Sequence, residues 1–139
     1  MNSYDIVVVG GGMVGAATAI GFAKQGLNVA VIEGFAPKAY DDSQAMDIRV
    51  SAISQASVDL LEELGAWQSI AAMRVCSYKR LETWEHPECR TRFDAASLDL
   101  PRLGYIVENR LIQLGLWAQF EAFDNFCLLY TSPSPRDED

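Results

Sequence analysis

Hydrophobic positions are dense and continuous at the start of this chain and sparse and periodic later on. Residues 4–9 (YDIVVV) form a β-branched run that ends in glycines, the pattern of a parallel strand buried on both faces. Residues 14–25 predict a helix whose small side chains Gly15, Ala16, Ala17 and Ala19 let its backbone approach a sheet, with Gly26 placed to end it. Residues 28–32 (NVAVI) are a second apolar strand. Two such strands joined by one helix make a right-handed βαβ unit, so the expected class is α/β, with the start of a parallel sheet.

Beyond Glu33 the pattern loosens. Residues 34–47 hold Gly34, Pro37 and several Asp without a period, which predicts a long loop of the kind that often carries function. Residues 54–64 predict a surface helix with Val58, Leu61 and Leu64 facing inward, Ser54 as N-cap and Gly65 as the stop. Residues 77–85 alternate as a strand, and residues 90–93 pair with it across a turn at His86 and Pro87, giving a small antiparallel insertion. Residues 103–107 predict a short strand or extended lead-in. A helix over 108–123 follows, turning Ile112, Leu116, Phe120 and Phe123 inward. Trp67, Trp84 and Trp117 are expected to be packing residues.

Composition narrows the classes. The 139 residues suffice for at most one ordinary domain, and a net charge of -8 argues against nucleic acid as a partner. Residues 6–23 are uncharged, but five glycines interrupt them and no Lys or Arg precedes them, so strand, turn and helix are expected rather than a membrane anchor. Cys76, Cys89 and Cys127 lack metal-ligand spacing, and the single histidine, His86, is expected to be solvated; no metal site is predicted. A reducing, cytoplasmic setting fits this cysteine usage.

Gly10, Gly12 and Gly15 form a GxGxxG pattern, here GGGMVG, completed by Gly11, Met13 and Val14. It follows a predicted strand, opens a predicted helix, and is matched by an acid, Glu33, at the end of the next strand. Gly10 would make the tight turn, Gly12 would admit a pyrophosphate, and Gly15 would allow close helix packing. The amides and dipole at the helix start attract phosphate charge. Glu33 would accept hydrogen bonds from an adenosine ribose and disfavours a 2′-phosphate, which leaves FAD or NAD as the dinucleotide. Ala19 and Gly26 extend the pattern toward the longer fingerprint of FAD-binding Rossmann domains.

The glycine segment, DIRVSAISQASVDLLEELGAW, RLETWE and LGYIVEN together resemble the N-terminal part of the flavin-dependent aromatic hydroxylases of ubiquinone biosynthesis, which are class A flavoprotein monooxygenases. The resemblance extends from about Tyr4 to Phe123 and is closest to the demethoxyubiquinol hydroxylase branch. It implies that FAD, reduced by NAD(P)H, activates oxygen and that an electron-rich prenylated quinol or phenol ring is hydroxylated. It also implies peripheral association with the inner membrane or with other enzymes of the pathway. On this resemblance Arg49 would supply positive charge near the flavin or its pyrophosphate, the alternative being a salt bridge to Asp47 or to the pair Asp41 and Asp42. Asn109 falls where many relatives carry an arginine facing the pyrophosphate, and Arg110 beside it would substitute or cap a helix. No acid or base for catalysis is assigned.

Two further readings stay open: a nicotinamide-dependent dehydrogenase half, and a non-catalytic dinucleotide-binding module. The Asp-Gly and Gly-Asp segments found later in the family do not occur here, so residues 1–126 are expected to be a partial FAD-binding domain, inactive alone, with a third parallel strand starting near Phe126. Residues 127–137 (CLLYTSPSPRD) match the translation of a DNA string resembling a transposase sequencing-library adapter, so residues 127–139 are expected to be a non-native tail.

Overall fold

Val29, Ala30 and Val31 are fully buried because the strand they form, β2 (Val29–Glu33), lies between two parallel neighbours. A computed structural model describes residues 3–130, and in it β1 (Ile6–Val9) pairs with one side of β2 while β8 (Phe126–Tyr130) pairs with the other. Ile6 stands opposite Val29, and Val29 opposite Phe126. The third strand expected near Phe126 therefore forms, and it takes in Cys127 through Tyr130 of the segment expected to be a tail; residues 131–139 lie outside the described residues. β1 is one of the two outer strands of this sheet, and its Val7 and Val9 are exposed where β2 is buried.

The helix α1 (Met13–Lys24) connects β1 to β2. Its Ala16, Ala19, Ile20 and Ala23 are buried at the three- and four-residue spacing of one helix face. Ala19 and Ala23 meet Val29 and Val31, while Ala16 and Ile20 join a larger cluster with Val58, Leu61, Ile70, Leu111 and Leu116. Small side chains let one helix lie between the parallel sheet and the other helices.

Residues 34–49 form the predicted loop, without helix or strand. After it come β3 (Val50–Ser54), α2 (Gln55–Glu63), α3 (Trp67–Met73) and β4 (Cys76–Tyr78). Ser54 caps α2 as expected, its Oγ accepting from the Ser57 amide at 3.3 Å, and Val58, Leu61 and Leu64 are buried. The strand predicted over 77–85 is in fact two. β4 ends at Tyr78, and β5 (Arg80–His86) pairs instead with β6 (Cys89–Asp94) as the antiparallel hairpin, with an irregularity between Trp84 and His86. The hairpin stands apart from the core, so Trp84 is 60% exposed under the Arg90 guanidinium rather than packed.

β7 (Gly104–Glu108) is the centre of a second, antiparallel sheet, between β3 and β4. It leads without a break into α4 (Asn109–Trp117), which is shorter than the predicted helix: a separate 3-10 turn at Phe120–Ala122 carries the buried Phe120. Ile112 and Leu116 face inward as expected, and Trp67 is buried against Tyr105 with ring centroids 5.0 Å apart. No helix among the described residues is long and apolar enough to cross a membrane.

Candidate functional site

β1 runs directly into the glycine turn. Gly10 adopts φ +100°, the region that favours glycine, and its amide donates to the Ile32 carbonyl at 2.8 Å, tying the turn to the end of β2. A Cβ at Gly15 would collide with the Gly10 carbonyl, so α1 starts directly on the turn. Gly12 is the opposite case: it is exposed, and a Cβ there would meet nothing within 4 Å. Gly12 is also the N-cap of α1, which has neither a capping side chain nor an acid in its first turn. Met13, Val14 and Gly15 form that first turn, whose amides an α-helix leaves without carbonyl partners and whose dipole attracts anions.

Gly11 is buried and held on both sides. Its amide donates to Glu33 Oε2 at 2.6 Å, and its carbonyl accepts from Gln113 Nε2 and Trp117 Nε1, each at 2.7 Å. Glu33 Oε1 accepts from the amides of Gly34 at 2.9 Å and Phe35 at 3.2 Å. These donors, the Gly11 amide foremost, hold the Glu33 carboxyl below the usual carboxylate range. Three donors do not exhaust a carboxylate, which offers about four acceptor positions, so capacity remains for a ribose hydroxyl.

Asn109 begins α4, and Gln113 and Trp117 follow it at four-residue steps, so all three share one side of the helix. That places Asn109 on the side of α4 that reaches Gly11. Asn109 Oδ1 accepts from Ser51 Oγ at 2.5 Å, and its amide donates to the Arg49 carbonyl at 3.0 Å. Arg49 and Asn109, far apart in sequence, are thus neighbours across β3 and β7. The Arg49 side chain is exposed, and among the described residues it forms no ion pair. Asp47 accepts the Arg49 amide at 3.1 Å, so neither of the salt bridges considered for Arg49 forms. Arg110 turns to the loop instead of the glycine turn, its Nη1 donating to the carbonyls of Lys38 and Ala39 and to Gln44 Oε1.

Four residues at this centre are not among the site residues expected from the sequence, Trp117 being expected only to pack. Gln113 and Trp117 were legible as a stripe beside the apolar one at Ile112, Leu116 and Phe120. Glu108 and Arg74 carry no such pattern. Glu108 is 1% exposed, paired with Arg74 at 2.9 Å, and held below its ordinary range chiefly by that guanidinium. His86 is exposed on the hairpin as expected, and no group of side chains among the described residues could hold a metal ion.

The open Gly12, the uncapped helix start and the residual capacity of Glu33 fit a dinucleotide: phosphate at α1, ribose at Glu33. Comparison with known proteins agrees. The chain is 51% identical over 118 residues to the 3-demethoxyubiquinol 3-hydroxylase of Escherichia coli, covering 85% of this chain and 30% of that protein. It is 37% identical over 140 residues to the human mitochondrial ubiquinone biosynthesis monooxygenase COQ6, covering 96% of this chain and 30% of that one. The chain therefore spans about a third of the length of these relatives. Among solved structures, a probable FAD-dependent monooxygenase of Pseudomonas aeruginosa, PqsL, superposes with a TM-score of 0.68 at 18% identity, over 97% of this chain and 36% of that one. The p-nitrophenol 4-monooxygenase of Pseudomonas putida gives 0.64 at 19%, over 90% and 30%. These two likenesses show the fold. A family model described as FAD binding domain matches residues 3–112, and the chain belongs to that family.

Proposed function

We propose that this chain is the FAD-binding portion of a flavin-dependent monooxygenase that hydroxylates a prenylated quinol or phenol ring in ubiquinone biosynthesis. The observation that carries the reading is the pairing of an uncapped, open helix start at Gly12 with a carboxylate, Glu33, already fixed by the Gly11 amide. Identity of 51% to a demethoxyubiquinol hydroxylase supports the substrate class.

The first-turn amides of Met13, Val14 and Gly15 would bind the pyrophosphate, and Glu33 would orient the adenosine ribose. Gln113 and Trp117 keep Gly11 from shifting, so the turn is set before a ligand arrives. Arg49 would bring a positive charge to the flavin half, and Asn109 a side-chain amide. When bound, FAD supplies oxygen activation after reduction by NAD(P)H. The pocket for the prenylated ring would be built mostly by sequence beyond this chain. A prenylated substrate is lipid-soluble, so we place the complete enzyme in the cytoplasm, peripheral to the inner membrane.

Titration of the purified chain with FAD, followed by flavin fluorescence, against thermal stabilisation by NAD, tests the reading. Binding of FAD in preference to NAD supports it; the reverse favours a nicotinamide-dependent dehydrogenase. The chain alone should oxidise no NAD(P)H, and sustained turnover would contradict its role as the cofactor-binding portion only.

A further inference from the structure

Residues 34–49 lack regular structure, yet the loop returns to the fold through a closed set of contacts. Glu108, buried at the end of β7, accepts from Arg74 Nε at 2.9 Å and Arg74 Nη2 at 3.2 Å, and its Oε1 also accepts the Asp47 amide at 2.7 Å. Asp47 Oδ1 then accepts the Arg49 amide at 3.1 Å, and the Arg49 carbonyl accepts the Asn109 amide at 3.0 Å. Glu108 and Asn109 are adjacent, so the loop end is fastened on both sides of one peptide bond. Arg74 adds a second hold, its Nη1 donating to the Gln44 carbonyl at 3.1 Å.

A buried ion pair adds little net stability over an apolar pair of the same volume, because desolvation offsets most of the attraction. What it does provide is one conformation: both carboxylate oxygens have directed partners, and one of them is a loop amide. We infer that Glu108 is a positioning residue that acts through Asp47 to hold Arg49 and Asn109 in place for the flavin half of the dinucleotide. This rests on the FAD reading above. The glycine turn and Glu33 serve the adenosine and pyrophosphate half, and they share no hydrogen bond with Glu108.

The test compares FAD with ADP on the full chain. ADP reports the glycine turn and Glu33 alone, and the extra affinity of FAD reports the flavin half. Asp47→Ala and Glu108→Ala should lower FAD affinity about tenfold, as expected for one lost hydrogen-bonded restraint, and leave ADP affinity unchanged. Glu108→Gln should recover part of the loss, since its Oε1 can still accept the Asp47 amide. Hydrogen exchange, measured without ligand, should quicken at the Asp47 amide in Glu108→Ala and at the Arg49 amide in Asp47→Ala, the amide each variant deprives of its acceptor, and confirm that the loop end is released in a folded chain. A parallel fall in FAD and ADP affinity overturns the inference, as does a released loop with an unchanged FAD-to-ADP ratio. Wild-type chain that binds neither nucleotide overturns the dinucleotide reading itself, and this inference with it.

Discussion

The indole N–H of Trp117 donates to the carbonyl of Gly11 at 2.7 Å, joining the last turn of α4 to the middle of the glycine turn. Gln113 donates to the same oxygen at the same distance. A buried carbonyl with two donors tolerates losing one better than losing both, because only the double loss leaves it unsatisfied. Trp117→Phe and Gln113→Ala should each destabilise the chain by about 1 kcal/mol, and the double variant by clearly more than their sum. Urea denaturation of the four proteins, followed by circular dichroism, measures the coupling; strict additivity would show that the two donors do not support one atom.

Gly12 and Gly15 separate ligand access from packing. Gly12→Ala adds a Cβ that meets nothing within 4 Å, on a backbone at φ -65°, so the melting temperature should hardly change. The methyl would nevertheless stand where phosphate must approach, and FAD and ADP binding should both be lost. Gly15→Ala drives a Cβ into the Gly10 carbonyl and should cost at least about 3 kcal/mol, the upper range for overpacking. Thermal melts with and without FAD discriminate the two; normal FAD binding by Gly12→Ala would remove the pyrophosphate from this helix start.

These two glycines show which parts of the site can be read from sequence. A turn followed by a helix is a local matter, and spacing alone assigns Gly10, Gly12 and Gly15 their places. Glu33 was legible for the same reason, since one strand of known length separates it from that helix. The antiparallel sheet was harder. VSAIS is half exposed on one face and carries small residues, so its alternation is faint; it is a strand because β7 lies beside it, with Ala52 opposite Ile106. The split between β4 and β5 depends on which sheet each joins, again a long-range fact. No pattern in the sequence separates Glu108 from a surface acid, and only the fold shows it buried against Arg74.

Glu33 is predicted to stay ionised well into acid, because the Gly11, Phe35 and Gly34 amides lower its pKa from the ordinary 4.5. FAD, whose pyrophosphate has no terminal monoester to titrate in this range, should therefore bind with flat affinity between pH 8 and pH 5, and Glu33→Gln should reduce that affinity across the whole range. A Gln side chain turns an N–H toward a backbone donor, so the variant also loosens the turn. A wild-type affinity that falls steeply between pH 7 and pH 5 would mean that Glu33 is not the ribose acceptor.

Arg74 and Glu108 are unequal partners, since the Arg74 side chain is 25% exposed and the Glu108 side chain 0%. Removing the guanidinium leaves a buried carboxylate with only the Asp47 amide, whereas removing the carboxylate leaves a cation that can reach water. Arg74→Ala should thus destabilise by about 3 kcal/mol, and Glu108→Gln by less. The pH dependence follows from the lowered Glu108 pKa. A carboxyl whose folded pKa lies below its unfolded value contributes stability that is fully present above the unfolded value and is lost as pH falls through the folded one. The stability gap between wild type and Glu108→Gln should accordingly be constant from pH 7 down to about 5, and close at still lower pH. Arg74 stays charged throughout, and Asp47 and Arg110 are common to both proteins, so the comparison isolates Glu108. A gap that persists unchanged to pH 3 would mean that Glu108 supports the fold through its shape, without the charge.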